Sequence, residues 1–212
     1  MKHAPGGVLR GFGSVAAQVR CRRGCCRTCE RALVGVLLAG ALAAAILGLG
    51  LHANLSPSAP RGLYRAVAGT PTRGAWVAAC VSPEAAALGR ARGYLGAGPC
   101  AGGVQPVIKP VVALAGDVVE LGPEAIVING QRLPGSSSAE LDSLGLTLPH
   151  AVTLPHAVWG RHVVSADEFW LVSTRVPNSW DSRYLGPFSR SQVRAVAWPV
   201  WTWSGAGSEV SR

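Results

Sequence analysis

The chain has 212 residues, of which 49% are hydrophobic and 15% charged, with a formal net charge of +9. That apolar, weakly charged composition excludes a disordered chain, and 27 glycines without a three-residue period exclude collagen. The charge is local: residues 1–31 hold seven basic residues (Lys2, Arg10, Arg20, Arg22, Arg23, Arg27, Arg31) against Glu30, which leaves 13 basic and 10 acidic residues for positions 32–212. The body is close to neutral, so no nucleic-acid partner is expected.

Ala32 to Leu51 is a run of 20 residues with no charge and no strongly polar group. At about 1.5 Å per residue it makes roughly 30 Å of helix, the thickness of a bilayer core. A cleaved signal peptide has a shorter apolar region of about 7–15 residues. Leu51-His52-Ala53 offers only a poor cleavage site. An uncleaved anchor is therefore predicted. The basic residues ahead of it place residues 1–31 in the cytoplasm as a tail and residues 52–212 outside.

Cysteines fall on both sides of that boundary. Cys21, Cys25, Cys26 and Cys29 crowd the tail. Four such thiols can hold zinc, but no second separated pair completes a compact knuckle, and reduced or lipidated juxtamembrane thiols are the simpler expectation. Cys80 and Cys100 lie in the exported part, where an oxidising compartment permits a bridge between them. A redox-active pair is the rival reading, although no Cys-x-x-Cys motif is present.

Beyond the span, short β-rich runs alternate with turn residues. Strands are predicted at 76–81, 106–114, 117–121, 125–129, 162–164, 168–172 and 192–198, with one short helix at 84–94. Ile128-Asn129-Gly130 is a clear hairpin signal. Residues 133–160 are rich in Pro, Ser and Gly and repeat Thr-Leu-Pro-His-Ala-Val at 147–152 and 153–158. A double copy is too short for a solenoid, so a surface-loop insertion is expected, with His150 and His156 as ordinary loop residues. The fold class is mainly β, in an antiparallel domain tethered by one N-terminal transmembrane helix.

Three segments carry polar groups that packing alone does not require. Asn54-Leu55-Ser56-Pro57-Ser58-Ala59-Pro60-Arg61-Gly62-Leu63-Tyr64 has the composition of a linker, yet it keeps Ser58 within roughly 25 Å of extended chain from the membrane. Lys109, in Val107-Ile108-Lys109-Pro110-Val111, is the one lysine after the span and stands among apolar neighbours. Burial there would lower its pKa; a gatekeeper on an edge strand is the alternative. Asn178-Ser179-Trp180-Asp181-Ser182-Arg183-Tyr184-Leu185-Gly186-Pro187 reads either as a surface loop with a salt bridge or as part of a site.

Taken together, in this order and spacing, the three segments resemble the membrane-anchored serine peptidases of the signal peptidase I family. The pattern of Asn54, Ser56, Ser58, Pro60, Gly62 and Tyr64 leans towards the conjugative-transfer, TraF-type branch, whose peptidases mature prepilin. The resemblance implies Ser58 as nucleophile, chosen over Ser56 because it stands two residues before Pro60. It implies Lys109 as general base, Ser56 as an oxyanion donor and Ser179 as the residue orienting the lysine. Asp181 and Arg183 match a supporting charged pair, and Pro60 and Gly62 are expected to shape the turn that presents Ser58. Two departures stand out: Ala115-Gly116-Asp117 replaces the usual Pro-Gly-Asp, and Ser173-Thr174-Arg175-Val176 replaces Gly-Asp-Asn-Arg.

The implied function is a serine endopeptidase of the bacterial inner membrane, single-pass with its catalytic domain periplasmic. It would need no metal or cofactor. Its partners would be the lipid bilayer and a membrane-inserted precursor, prepilin or another preprotein, bound extended with small side chains before the cut. The alternatives are a general signal peptidase and a non-catalytic scaffold of a conjugation or secretion apparatus. Trp198, Trp201 and Trp203 are candidates for the lipid interface.

Overall fold

The computed structural model describes residues 23–148 and 159–203, without the side chains of residues 23–28, 42, 43 and 45–47. Cys21, the second hexapeptide copy, His150 and His156 lie outside the described residues, and so do the side chains of Cys25 and Cys26. Cys29 is an exposed free thiol.

Helix α1 spans Arg23–Gly48 and so begins in the basic tail rather than at Ala32. It also ends earlier than the apolar run. Gly50 takes a positive φ of 66°, and Leu51, expected as the last residue of the span, opens a strand instead. Over the described residues, no helix is long and apolar enough to cross a membrane.

The remainder is mainly β, as expected. Its elements in chain order are β1 (Leu51–Asn54), β2 (Gly62–Val67), β3 (Trp76–Ala79), α2 (Pro83–Ala91), β4 (Ala97–Cys100), β5 (Val107–Ala113), β6 (Val118–Leu121), β7 (Ile126–Ile128), β8 (Gln131–Arg132), β9 (Gly160–Val163), β10 (Glu168–Leu171), α3 (Ser182–Leu185), β11 (Phe188–Ser189) and β12 (Val193–Thr202). Two sheets form among the described residues. One runs β1-β2-β12-β3-β5-β10-β11 and the other β8-β7-β6-β9. Neighbouring strands pair antiparallel throughout.

Local chemistry explains the elements that matter for the site. In β5 the residues alternate, with Val107, Lys109, Val111 and Ala113 facing the interior. Asn129 and Gly130 both adopt positive φ, 50° and 79°, and close the β7–β8 hairpin that their dipeptide predicts. Between β5 and β6, Gly116 turns at φ 86° and the Asp117 carboxylate accepts from Leu114 N (2.6 Å), Asn129 Nδ2 (2.8 Å) and Arg73 (2.6 Å). Helix α2 is started by Ser82, whose hydroxyl accepts from Ala85 N at 3.2 Å, with Pro83 at its first position.

The insertion differs from expectation over its described part. Residues 133–148 are not a plain surface loop: Ser136 and Leu148 are buried, and Ser136 Oγ accepts from Ile126 N at 2.8 Å. The segment's backbone supplies hydrogen-bond partners that buried groups elsewhere in the domain require.

Cys80 and Cys100 are joined in a disulfide, with Cα atoms 5.6 Å apart and a sequence separation of 20. The bridge ties the end of β3 to β4 around α2 and packs beside Val81, Ala85 and Val104. Closing a loop of that length is worth about 3 kcal/mol. Replacing both cysteines by serine should lower unfolding stability by about that amount, measured in denaturant titrations of the oxidised proteins.

Candidate active site

The Ser58 loop leaves β1 at Asn54 and re-enters the sheet at Gly62, which are paired in register. Asn54 organises it from inside. Its amide Nδ2 donates to the carbonyls of Ser56 (3.1 Å), Ala59 (3.3 Å) and Pro60 (3.0 Å), and its Oδ1 accepts from Ser56 N (3.2 Å). Tyr64, whose hydroxyl pKa is pushed up to about 12 by burial, donates to Pro60 O at 2.7 Å. Gly62 has a different role from the turn-forming one expected. A Cβ there would sit 2.2 Å from Trp201 O, so glycine is required by the close approach of β12.

Ser58 itself is buried, at 7% exposure, while Ser56 is exposed. Their hydroxyl oxygens are 2.9 Å apart, and Ser58 N donates to Ser56 Oγ at 3.4 Å.

Lys109 sits in β5, between β3 and β10, with its side chain turned into the interior, so it is not a solvent-facing gatekeeper. It pairs with Val77 and is only 4% exposed. Its amine donates to Ser179 Oγ at 2.8 Å. Burial lowers its pKa from 10.5 to about 8, with the Asp181 carboxylate pulling it up and Arg183 pulling it down.

The segment 178–187 is interior rather than a surface loop. Asp181 and Arg183 are fully buried and bonded twice, Nε to Oδ1 and Nη2 to Oδ2, both at 2.9 Å. The remaining guanidinium donors go to the carbonyls of Ser137 (2.8 Å), Pro177 (3.1 Å), Ser173 (2.9 Å) and Ser179 (3.2 Å). Asp181 also caps α3 and accepts from Ser173 N at 3.0 Å. A buried pair is tolerated when its leftover donors and acceptors are satisfied in this way.

Ser56, Ser58, Lys109 and Ser179 line one cavity of about 770 Å³; Asp181 and Arg183 stand behind it. Among the described residues, no hydrogen bond joins the Ser58 hydroxyl to Lys109. Such bonds are often long before substrate arrives. Groups of His, Cys, Asp and Glu able to hold a metal are absent among the described residues. His162 packs its ring against Trp170, 5.4 Å between centroids.

The signal peptidase, peptidase S26 family model matches residues 26–203. The chain belongs to that family. A plasmid transfer protein TraF from Escherichia coli is 34% identical over 183 residues, covering 84% of this chain and 99% of its own. A conjugal transfer protein TraF from Agrobacterium tumefaciens (strain 15955) is 38% identical over 171 residues, 79% of this chain and 90% of its own. A signal peptidase I crystal structure from Enterococcus faecalis V583 is a looser likeness, with 22% identity and a TM-score of 0.34 over 61% of this chain and 98% of its own.

Two residues of this S26 site escaped the sequence reading. Asn54 belongs to the serine segment but carries no role in the family pattern, although Asn-x-Ser is an Asx-turn signal. Ser173 was read only as a departure from the family pattern.

The energetics give two predictions. The amine's pKa lies below its ordinary 10.5, so the unfolded chain holds the proton more tightly. Stability therefore rises between pH 8 and 10.5 and carries the full penalty below 8. Lys109→Met should raise unfolding stability at pH 7 by up to about 3 kcal/mol in denaturant titrations. Asp181→Ala, which strands the buried Arg183, should lose about 3–5 kcal/mol in the same assay.

Proposed function

We propose that this S26 protein is a membrane-anchored serine endopeptidase that cleaves leader peptides from exported precursors through a Ser58–Lys109 dyad. The observation that carries the proposal is a buried amine with a pKa of about 8 sharing one cavity with a buried serine.

On this reading the neutral Lys109 takes the Ser58 proton as the hydroxyl attacks the scissile carbonyl. Ser58 N–H and the Ser56 hydroxyl, 3.4 Å apart, are the donors for the developing oxyanion. The lysine ammonium then protonates the leaving amine. Lys109 next activates the water that releases the acyl group. Ser179, bonded to the amine, fixes its direction. Burial and the clamped backbone favour Ser58 over the exposed Ser56.

The substrate is proposed to bind as an added strand. Val107–Lys109 pairs with β3 on one side; on the other, backbone bonding from β10 and the residue after it ends at Pro110, whose carbonyl accepts from Val172 N at 3.2 Å. That leaves an edge beside the lysine for an extended peptide. Kinship with proteins named for plasmid and conjugal transfer favours a pilin precursor. The uncharged run from Ala32, most of it within α1, is proposed to anchor the chain in the inner membrane with its basic tail cytoplasmic and its β domain periplasmic. Leu55, Trp198, Trp201 and Trp203, all exposed, are proposed to rest at the lipid interface.

Ser58→Ala and Lys109→Ala should each lower precursor cleavage by about a thousandfold or more, read by mass spectrometry of products in membranes. Lys109→Arg should be equally inactive, because guanidinium stays protonated. For the native protein, kcat/KM should climb with pH and level off above about 8. Full cleavage by either alanine variant defeats the assignment.

A further inference from the structure

We propose that Ser173 is a positioning residue for this reaction, its hydroxyl fixing the Ser58 carbonyl and with it the geometry between nucleophile and base. The inference rests on the reading of Ser58 as nucleophile.

Ser173 follows β10 and is fully buried. All its polar groups are engaged. Its amide donates to Asp181 Oδ2 (3.0 Å), its carbonyl accepts from Arg183 Nη2 (2.9 Å), and its hydroxyl donates to Ser58 O while accepting from Arg175 N (3.4 Å). The bond to Ser58 spans 115 residues of sequence. The other hydrogen bonds of Ser58 among the described residues run to Ser56, inside its own loop. Asn54 and Tyr64 hold that loop from the two strands that flank it, β1 and β2.

The geometry makes the Arg183 guanidinium a common origin. Its Nη2 donates both to Ser173 O (2.9 Å) and to Ser179 O (3.2 Å). One arm continues from Ser173 to the Ser58 carbonyl; the other continues from Ser179 to the Lys109 amine. No direct bond sets the distance between the Ser58 hydroxyl and Lys109, so the two arms do. Holding the Ser58 carbonyl restrains rotation about that residue's Cα–C bond. Ser173 does not line the cavity, so it acts through Ser58 and not on the substrate.

Removing the hydroxyl should misplace the nucleophile without altering substrate binding or the lysine's acidity. Ser173→Ala should lower kcat about ten- to a hundredfold. KM should stay within about twofold, since the change falls on the chemical step. The pH midpoint near 8 should not move, because burial and the charges of Asp181 and Arg183 set it and the amine bonds Ser179, not Ser173. Rates are taken per folded molecule, counted by circular dichroism, so that a purely structural loss would leave kcat unchanged. Ser173→Gly, which also lacks the hydroxyl and adds no bulk, should behave alike. Wild-type kcat in either folded variant overturns the positioning role. Ser58→Ala runs alongside: cleavage surviving there defeats the underlying dyad instead.

Discussion

An ammonium ion taken out of water loses several kcal/mol of hydration, and that loss is the constraint around which this domain is arranged. Lys109 is in the interior half of β5, beside Val107 and Val111 on the same face. Among the described residues its amine has one hydrogen-bond partner, the Ser179 hydroxyl. A free carboxylate nearby would restore the charge and return the pKa to its usual range. Asp181 is close enough to act, yet both of its oxygens are engaged by Arg183. The opposing effects of the two charges leave desolvation dominant. An amine so placed is mostly charged at pH 7 but holds an appreciable neutral fraction that can take a proton from a hydroxyl, which is what the proposed chemistry needs.

The fold meets that constraint by bringing distant segments together. Lys109 and Ser179 are 70 residues apart in sequence, and Ser173 and Ser58 are 115 apart. The buried Asp181–Arg183 pair joins these contacts, since its groups bond the backbone of both Ser173 and Ser179. The pair also gathers the carbonyls of Ser137 and Pro177, so the insertion after β8 becomes part of the support. A charged pair in a dry interior is a weak contributor to stability by itself. Its value here is geometric, because a planar guanidinium with all its donors committed cannot swing.

Much of this was legible in the chain because local chemistry and tertiary structure agree. The strand around Lys109, the Asn129-Gly130 turn and the short helix after Cys80 follow from short-range rules, and the Cys80–Cys100 bridge from the oxidising compartment expected for the exported part. The serine, lysine and Asn178–Pro187 segments were recognisable by order and spacing, and the structure gathers them around one cavity and its support. Other features were hidden for stated reasons. β1 was lost because the apolar run continues into its first residue, Leu51. β8, β11 and α3 are two, two and four residues long, too short for a periodic pattern. The segment 178–187 reads as solvent-exposed by composition; only pairing of Asp181 with Arg183 and backbone partners from elsewhere make its burial affordable. Ser173 has no sequence signal, since its bond is to a carbonyl brought to it by folding.

The most direct test is the titration of the Lys109 amine. The chain contains two lysines, Lys2 and Lys109, so selective ¹³C labelling of lysine gives two side-chain signals in NMR spectra. Lys109→Met identifies which is which. The Lys109 signal should titrate with a midpoint near 8 in the folded protein. A midpoint at the ordinary 10.5 would mean a solvated ammonium, and the buried-base account of this site would be wrong.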